Sequence, residues 1–321
     1  MTVSVFGAGA FGTALAIALA REDRPVTIWG RDPYAVSRIR DHRSSPRLPG
    51  IRIPTRVTAT ANLDRALEAE TLLITVPAQS LHQLLDRIGN RAGHARVVLC
   101  CKGIDMESGL GVSSLWAKAR PGGTPPAVLT GPSFANDIAQ GLPTALTLAC
   151  SSEETGQALQ KGLSTSVLRL YTTTDTIGAE LGGAMKNVMA IACGACIGAG
   201  LGDSARAALM TRGFAEMTRL ATHMGARAET MAGLSGLGDL VLTCTSEQSR
   251  NFRFGLSLGR GEDFDPSVTV EGAATARAAA RVARENGLPL PITAAVAELT
   301  TGDLTVRDAM DQLLSRPLKE E

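Results

Sequence analysis

The sequence predicts an α/β protein: a doubly wound parallel Rossmann-type domain followed by an all-α C-terminal domain. Three observations carry this reading. An apolar run, Thr2–Phe6, leads directly into Gly7-Ala8-Gly9-Ala10-Phe11-Gly12 and then into an Ala/Leu-rich helical stretch. Short β-rich runs then alternate with helical patterns up to about Thr174, which is how a parallel sheet covered by helices reads. Beyond that point strand signals largely stop and long helical patterns follow one another.

Taken in order, the second strand is expected at Pro25–Trp29 and a polar helix at Pro33–His42. Residues 43–56, rich in Pro, Ser and Arg, read as a loop. Strands follow at Val57–Thr60, Thr71–Val76, Arg96–Cys100, Ala127–Thr130, Thr144–Ala149 and Val167–Tyr171. Between them lie helices such as Gln79–Arg91, where Leu81, Leu84, Leu85 and Ile88 form one stripe. The second half reads as helices at Ile177–Cys196, Ser204–Met224, Asn251–Gly259, Thr275–Asn286, Thr293–Thr300 and Val306–Leu314, with a glycine-rich segment at Gly233–Leu242. The last residues, Lys319–Glu321, read as a frayed tail.

Bulk composition narrows the function. A net charge of +1 and 3% aromatic residues argue against nucleic-acid binding. The least polar long stretch, Val188–Gly202, is broken by Gly194, Gly198, Gly200 and Gly202 and falls short of the roughly 20 residues a span requires, so no integral membrane segment is expected. No secretory signal precedes the first strand, and the six cysteines, read as small buried residues, carry the expectation of a cytoplasmic setting. Of the six cysteines, Cys193 and Cys196 form a C-x-x-C, but no second pair supplies the remaining ligands of a zinc site. No metal is expected. His42, His82, His94 and His223 show no His–carboxylate or His–Cys arrangement, which argues against nucleophilic hydrolysis.

The glycine run has a specific chemical meaning. Gly7 permits a tight turn, Gly9 lets the backbone approach a pyrophosphate, and Gly12 lets the helix lie close to the strand. The helix N-terminus then offers N–H groups and partial positive charge to an anion. Residues 1–173 are therefore assigned as a dinucleotide-binding domain and 174–321 as an all-helical substrate domain. A site for NAD usually ends its second strand with a carboxylate, whereas this strand ends Trp29-Gly30-Arg31. Arginine suits a 2′-phosphate, so NADP(H) is the preferred cofactor; Asp32, one residue later, keeps NAD(H) possible.

The second domain supplies an acid/base candidate. Taken as helix, Lys186 has Gly182, Gly183, Met189 and Ala190 as its neighbours one turn away, and none is acidic. A lysine on such a stripe is expected to be buried or to line a cleft, where desolvation would bring it toward the range of a general acid/base; the alternative is a lysine snorkelling from a packed helix. Lys102 follows a strand and could hold an anion or a carbonyl oxygen. Ser133, after the next strand, could bind ligand or cap a helix, and Asp239 places a carboxylate in a tight glycine turn. Ser249-Arg250-Asn251, a hydroxyl, a guanidinium and an amide at a helix start, suits a phosphate; the alternative is a simple N-cap.

Several blocks in order then carry a resemblance. The opening glycine run, Cys101-Lys102-Gly103-Ile104, Gly131-Pro132-Ser133-Phe134-Ala135, Ile177–Asn187, Leu209–Gly213, Leu237-Gly238-Asp239-Leu240, Thr243–Ser246, Ser249-Arg250-Asn251 and Val270-Glu271-Gly272 resemble bacterial NAD(P)-dependent glycerol-3-phosphate dehydrogenases over residues 3 to about 300. The resemblance implies interconversion of sn-glycerol 3-phosphate and dihydroxyacetone phosphate, mainly reduction of the ketone for phospholipid synthesis, in a homodimer. It implies that Lys186 donates and accepts the proton, that Lys102 touches cofactor and substrate, and that Asp239 lines the substrate pocket. By the same resemblance Gly131, Ser133, Ser249, Arg250 and Asn251 bind substrate. Ala10, Phe11, Arg31, Ala135, Arg250 and Glu271 lie along the cofactor. A related two-domain hydroxyacid or ketopantoate-type dehydrogenase is the enzyme alternative, and a dinucleotide-sensing protein the non-enzyme one.

Overall fold

The computed structural model describes residues 1–93 and 95–314, so His94 and the tail Lys319–Glu321 lie outside it. The chain divides into two compact units. One comprises Met1–Lys102 and Gly111–Glu180; the other comprises Gly103–Leu110 and the chain from Leu181 onward. The expected boundary after Thr173 falls just before the long helix that begins the all-α region, whose first turns belong to the first unit.

The first unit is built on an eight-stranded sheet: β1 (Val3–Phe6), β2 (Val26–Trp29), β3 (Val57–Thr60), β4 (Thr71–Ile74), β5 (Arg96–Leu99), β6 (Ala127–Thr130), β7 (Thr144–Ala149) and β8 (Leu168–Thr173). Helices α1 (Ala10–Ala20), α2 (Pro33–His42), α3 (Leu63–Leu67), α4 (Leu81–Ile88), α5 (Val112–Ala119), α6 (Ala135–Gln140) and α7 (Glu153–Leu163) connect them. The strand order is β3-β2-β1-β4-β5-β6-β7-β8. The order reverses between β1 and β4, and open α/β sheets bind ligands outside the carboxyl ends of their strands at such a reversal. The α/β expectation is borne out with one correction: β6 and β7 pair antiparallel, while every other neighbouring pair is parallel. The intervening helix α6 has six residues.

Local chemistry explains the helix ends. Asp32 caps α2 by accepting from Tyr34 N at 2.9 Å, with Pro33 at the first helical position. Helix α1 is apolar nearly all round, and its residues from Gly12 to Ala20 are buried, because α6 covers the side turned from the sheet.

The second unit contains α8 (Thr176–Gly198, from Leu181), α9 (Gly202–His223), α10 (Ala228–Met231), α11 (Asp239–Cys244), α12 (Arg250–Arg260), α13 (Glu271–Glu285), α14 (Pro291–Thr301) and α15 (Val306–Leu314). A π-helical turn, Leu234–Gly238, runs directly into α11. By length and composition α8 could cross a membrane, but 83% of its most apolar window is buried inside the protein. Its glycines set how closely it packs. A Cβ on Gly194 or Gly198 would lie 2.1 or 2.2 Å from the carbonyl oxygens of Phe252 and Leu256 in α12. Reciprocally, a Cβ on Gly255 or Gly259 would lie 2.1 or 2.3 Å from the carbonyl oxygens of Ile191 and Ala195 in α8. Two Gly-x-x-x-Gly faces thus interlock backbone to backbone, and the rising register shows that the two helices run in the same direction. Two of the four glycines that break the apolar run in the sequence, Gly194 and Gly198, belong to this contact surface.

Candidate active site

In the first unit the candidate residues gather at the carboxyl ends of the strands. Gly7 follows β1 with φ +130°, a conformation that favours glycine, and its N–H donates to the Trp29 carbonyl at 2.9 Å. A Cβ on Gly12 would lie 2.2 Å from the Gly7 carbonyl oxygen and 2.4 Å from Thr75 Oγ1. A Cβ on Gly9 would meet nothing within 4 Å. Gly7 and Gly12 therefore serve the turn and its packing, and Gly9 leaves the backbone at the start of α1 open to a ligand. Ala10 and Phe11 form the first turn of α1. Thr75, just past β4, braces the turn: its hydroxyl lies 3.1 Å from the Phe6 carbonyl and 3.2 Å from that of Gly7. These observations fit the loop to a dinucleotide pyrophosphate.

Lys102, after β5, sits beside this loop. Its Nζ donates to the Gly131 carbonyl at 3.4 Å and lies 5.9 Å from the centre of the Phe11 ring. Gly131 follows β6 with φ +138°. Ser133 Oγ donates to the same carbonyl at 3.2 Å and does not cap α6, whose N-cap is Phe134. Ala135, the first residue of α6, is half-buried. Phe11, Lys102, Gly131 and Ser133 therefore form one cluster. Arg31 is exposed past β2, where its Nη1 donates to Gln83 Oε1 at 3.1 Å.

In the second unit Lys186 is buried, at 6% exposure, as its apolar stripe implied. Its Nζ donates to Asp239 Oδ1 at 2.5 Å and to Thr243 Oγ1 at 2.9 Å, and Asp239 is fully buried. The Thr243 hydroxyl in turn donates to Asp239 Oδ1 at 3.3 Å. The carboxylate supplies the counter-charge that a buried ammonium needs. Asp239 opens α11 after the π turn, rather than sitting in an isolated tight turn. Gly182, one turn before Lys186, makes the pairing possible: a Cβ there would lie 2.4 Å from the Ser235 carbonyl oxygen. The absence of that carbon lets α8 close on the π turn that presents Asp239.

The Ser249–Asn251 trio is placed by the α8–α12 contact. Because Gly255 lies on Ile191, one turn back Asn251 comes level with Asn187. A Cβ on Gly272 would touch both, at 2.5 Å from Asn187 O and 2.8 Å from Asn251 Oδ1. Asn251 Oδ1 accepts from Gly272 N at 2.9 Å and so caps α13, whose first residue is Glu271. Ser249 accepts from Phe252 N at 3.2 Å as the N-cap of α12. Its own proton remains available as a donor. Arg250 is exposed.

The comparisons with known proteins decide the family. A profile described as the N-terminus of NAD-dependent glycerol-3-phosphate dehydrogenase matches residues 2–156, and one described as its C-terminus matches residues 175–311. The chain belongs to the glycerol-3-phosphate dehydrogenase family. A glycerol-3-phosphate dehydrogenase (NAD(P)+) of a Ruegeria species is 59% identical, with all of both chains covered. Another, from Cereibacter sphaeroides, is 58% identical over 99% of this chain and all of that one. Among solved structures, the glycerol-3-phosphate dehydrogenase of Coxiella burnetii superposes with a TM-score of 0.93 at 36% identity, covering 98% of this chain and 99% of that chain. The resemblance read from the sequence is borne out.

For a glycerol-3-phosphate dehydrogenase chain, the sequence reading left three neighbours of these residues unassigned: Thr75, Asn187 and Thr243. Thr243 could have been found, since it stands one turn from Asp239 on the same helical face. Asn187 adjoins Lys186 and is 5% exposed, a level of burial rare for an asparagine. Thr75 had no local signal.

Proposed function

We propose that this chain reversibly converts dihydroxyacetone phosphate to sn-glycerol 3-phosphate with NAD(P)(H), working mainly in the reductive direction to feed glycerophospholipid synthesis. The observation that carries the reading is the buried Lys186 ammonium, held by Asp239 and Thr243 in a chain of this family.

The cofactor would be held by Gly7–Gly12, with Ala10, Phe11, Ala135, Arg250 and Glu271 along it and Arg31 at a 2′-phosphate, which favours NADP(H) over NAD(H). When bound, the reduced nicotinamide supplies a hydride to the ketone carbon. Lys186 donates a proton to the ketone oxygen, so that the carbonyl becomes an alcohol with no charge left behind. Asp239 and Thr243 aim the ammonium and offset its burial. Lys102 polarises the same oxygen and opposes the negative charge that develops on it. Gly131 and Ser133 contribute polar contacts to the substrate. Ser249, Arg250 and Asn251 grip its phosphate, and gripping a remote group fixes the carbonyl for attack. The resemblance also supports a cytoplasmic homodimer.

The test follows nicotinamide absorbance with dihydroxyacetone phosphate, with 2-ketoacids and with neither. Oxidation of the reduced cofactor by dihydroxyacetone phosphate alone is expected. Turnover only with 2-ketoacids would assign a hydroxyacid dehydrogenase, and cofactor binding without turnover a sensor.

A further inference from the structure

Glu180 is a buried carboxylate that the chemistry above does not use. It is 7% exposed, and its Oε2 accepts a hydrogen bond from Ser113 N at 2.7 Å. Ser113 lies in the first turn of α5, where N–H groups have no partner within the helix. The N-cap of α5 is Gly111, which has no side chain to cap with, and Glu180 caps the helix from 67 positions away. Gly111 admits it: a Cβ there would lie 1.6 Å from Glu180 Oε1. Burial pushes the carboxyl up to about 7 against the opposing bonds from the Ser113 hydroxyl and backbone. Ser113 and Gly111, the α5 groups that face it, are uncharged, and no charged side chain contributes to that balance.

The place of Glu180 in the chain gives the contact its meaning. The chain leaves the first unit after Lys102, re-enters it at Gly111 and leaves again after Glu180. The excursion, Gly103–Leu110, is fixed by its own contacts in the second unit. Ile104 is buried in that core, Arg281 Nη2 donates to the Glu107 carbonyl at 3.2 Å, and a Cβ on Gly109 would sit 3.1 Å from Val282. Within the excursion, the Asp105 carboxylate takes both the N–H and the hydroxyl of Ser108, at 2.7 and 2.6 Å. One carboxylate therefore ties the return of the segment that follows Lys102 to the helix that carries Lys186 within two further turns.

Resting on the dehydrogenase reading, we propose that Glu180 is a positioning residue for the reaction: seated on the Ser113 N–H and admitted by Gly111, it fixes α8 upstream of Lys186 and the return of the segment that follows Lys102. Ionised, it holds that N–H and the positive end of α5 more firmly than when protonated.

The experiment measures kcat, KM and cofactor dissociation for the full chain and for E180A, E180Q and G111A. E180A and G111A are expected to lower kcat about tenfold or more while cofactor dissociation changes by less than about twofold, because misplacing reacting groups costs turnover rather than binding. E180Q keeps an acceptor oxygen for Ser113 N, so it restores most of the turnover. Its pH profile is expected to lack the rise in kcat through about pH 7 that is expected of the native chain. Native kcat in E180A or in G111A overturns the proposal, and so does a pH profile in E180Q that matches the native one. If E180A does not fold, G111A and E180Q decide. Absence of turnover in the native chain would remove the dehydrogenase reading and this inference together, whereas an active native chain with an unimpaired E180A removes the inference alone.

Discussion

Lys186 and Asp239 form a buried ion pair between residues 53 positions apart, and the Thr243 hydroxyl bridges them by accepting from one and donating to the other. Removing either charge strands the other in a buried site. Lys186→Met and Asp239→Asn should each cost about 3–5 kcal/mol of stability, and the double variant should cost less than the sum. Denaturant unfolding of all four proteins checks this, and additive losses would refute the coupling. Both single variants should also lose turnover, Lys186→Met most completely, because no other group takes over the proton.

The approach of α8 to the π turn depends on one missing carbon. Gly182→Ala would place a Cβ 2.4 Å from the Ser235 carbonyl oxygen. Forced apart, the two elements should lose about 1–3 kcal/mol and at least tenfold in kcat, as Lys186 and Asp239 separate. Retention of native kcat would show that the pair has slack.

The glycine loop separates binding from folding. Gly12→Ala meets the Gly7 carbonyl oxygen and Thr75 Oγ1, so both melting temperature and cofactor affinity should fall. Gly9→Ala meets nothing in the protein, so the melting temperature should stay near native while cofactor affinity falls about tenfold or more. Unchanged affinity in Gly9→Ala would place the pyrophosphate elsewhere.

Arg31 gives the cofactor preference a direct test. Replacing it with aspartate should move the ratio of kcat/KM for NADPH to that for NADH by about tenfold or more toward NADH, through loss of a charge-assisted contact. An unchanged ratio would remove Arg31 from the 2′-phosphate site. Asp32 is a weaker candidate for the ribose, since it already caps α2.

Glu180 also leaves a mark on stability. Burial raises its carboxyl from an unfolded value near 4.5 to about 7, so between those values the folded chain binds the proton more tightly than the unfolded one. Its contribution is fully present below pH 4.5 and is lost as pH rises through about 7, by up to about 3 kcal/mol in all. Glu180→Gln should therefore flatten the fall in stability across that window and gain on the native chain at pH 8. Parallel pH-stability curves for the two proteins would refute the shift.

What the sequence disclosed was what short-range chemistry determines. Gly7 and Gly12 were legible because a positive φ and a close helix–strand contact demand glycine at fixed spacing. The burial of Lys186 was legible because its neighbours one turn away are all small or apolar. Its partner was not, because Asp239 reaches it through a contact made by Gly182 and Ser235, far apart in the chain. The reversal of β7 was hidden for a similar reason: alternation of strands and helices reads as parallel throughout, and the direction of the β6–β7 pair is fixed only by which strands meet in the sheet. Glu180 carries no mark in the sequence, because Gly111 and Ser113, which receive it, are distant in the chain.

The four glycines between α8 and α12 act as a gauge block. Where helices meet through side chains, a larger or smaller residue shifts their spacing, and spacing can drift as a lineage accumulates core substitutions. Here backbone touches backbone, so nothing compressible sets the separation between the residues assigned to the phosphate, at the head of α12, and the lysine assigned to the proton, on α8. That interval is insulated from ordinary repacking elsewhere in the unit. Efforts to retarget such an enzyme to a longer or shorter phosphorylated ketone would then have to act on the side chains at the two ends of the span, because the span itself offers no residue to resize.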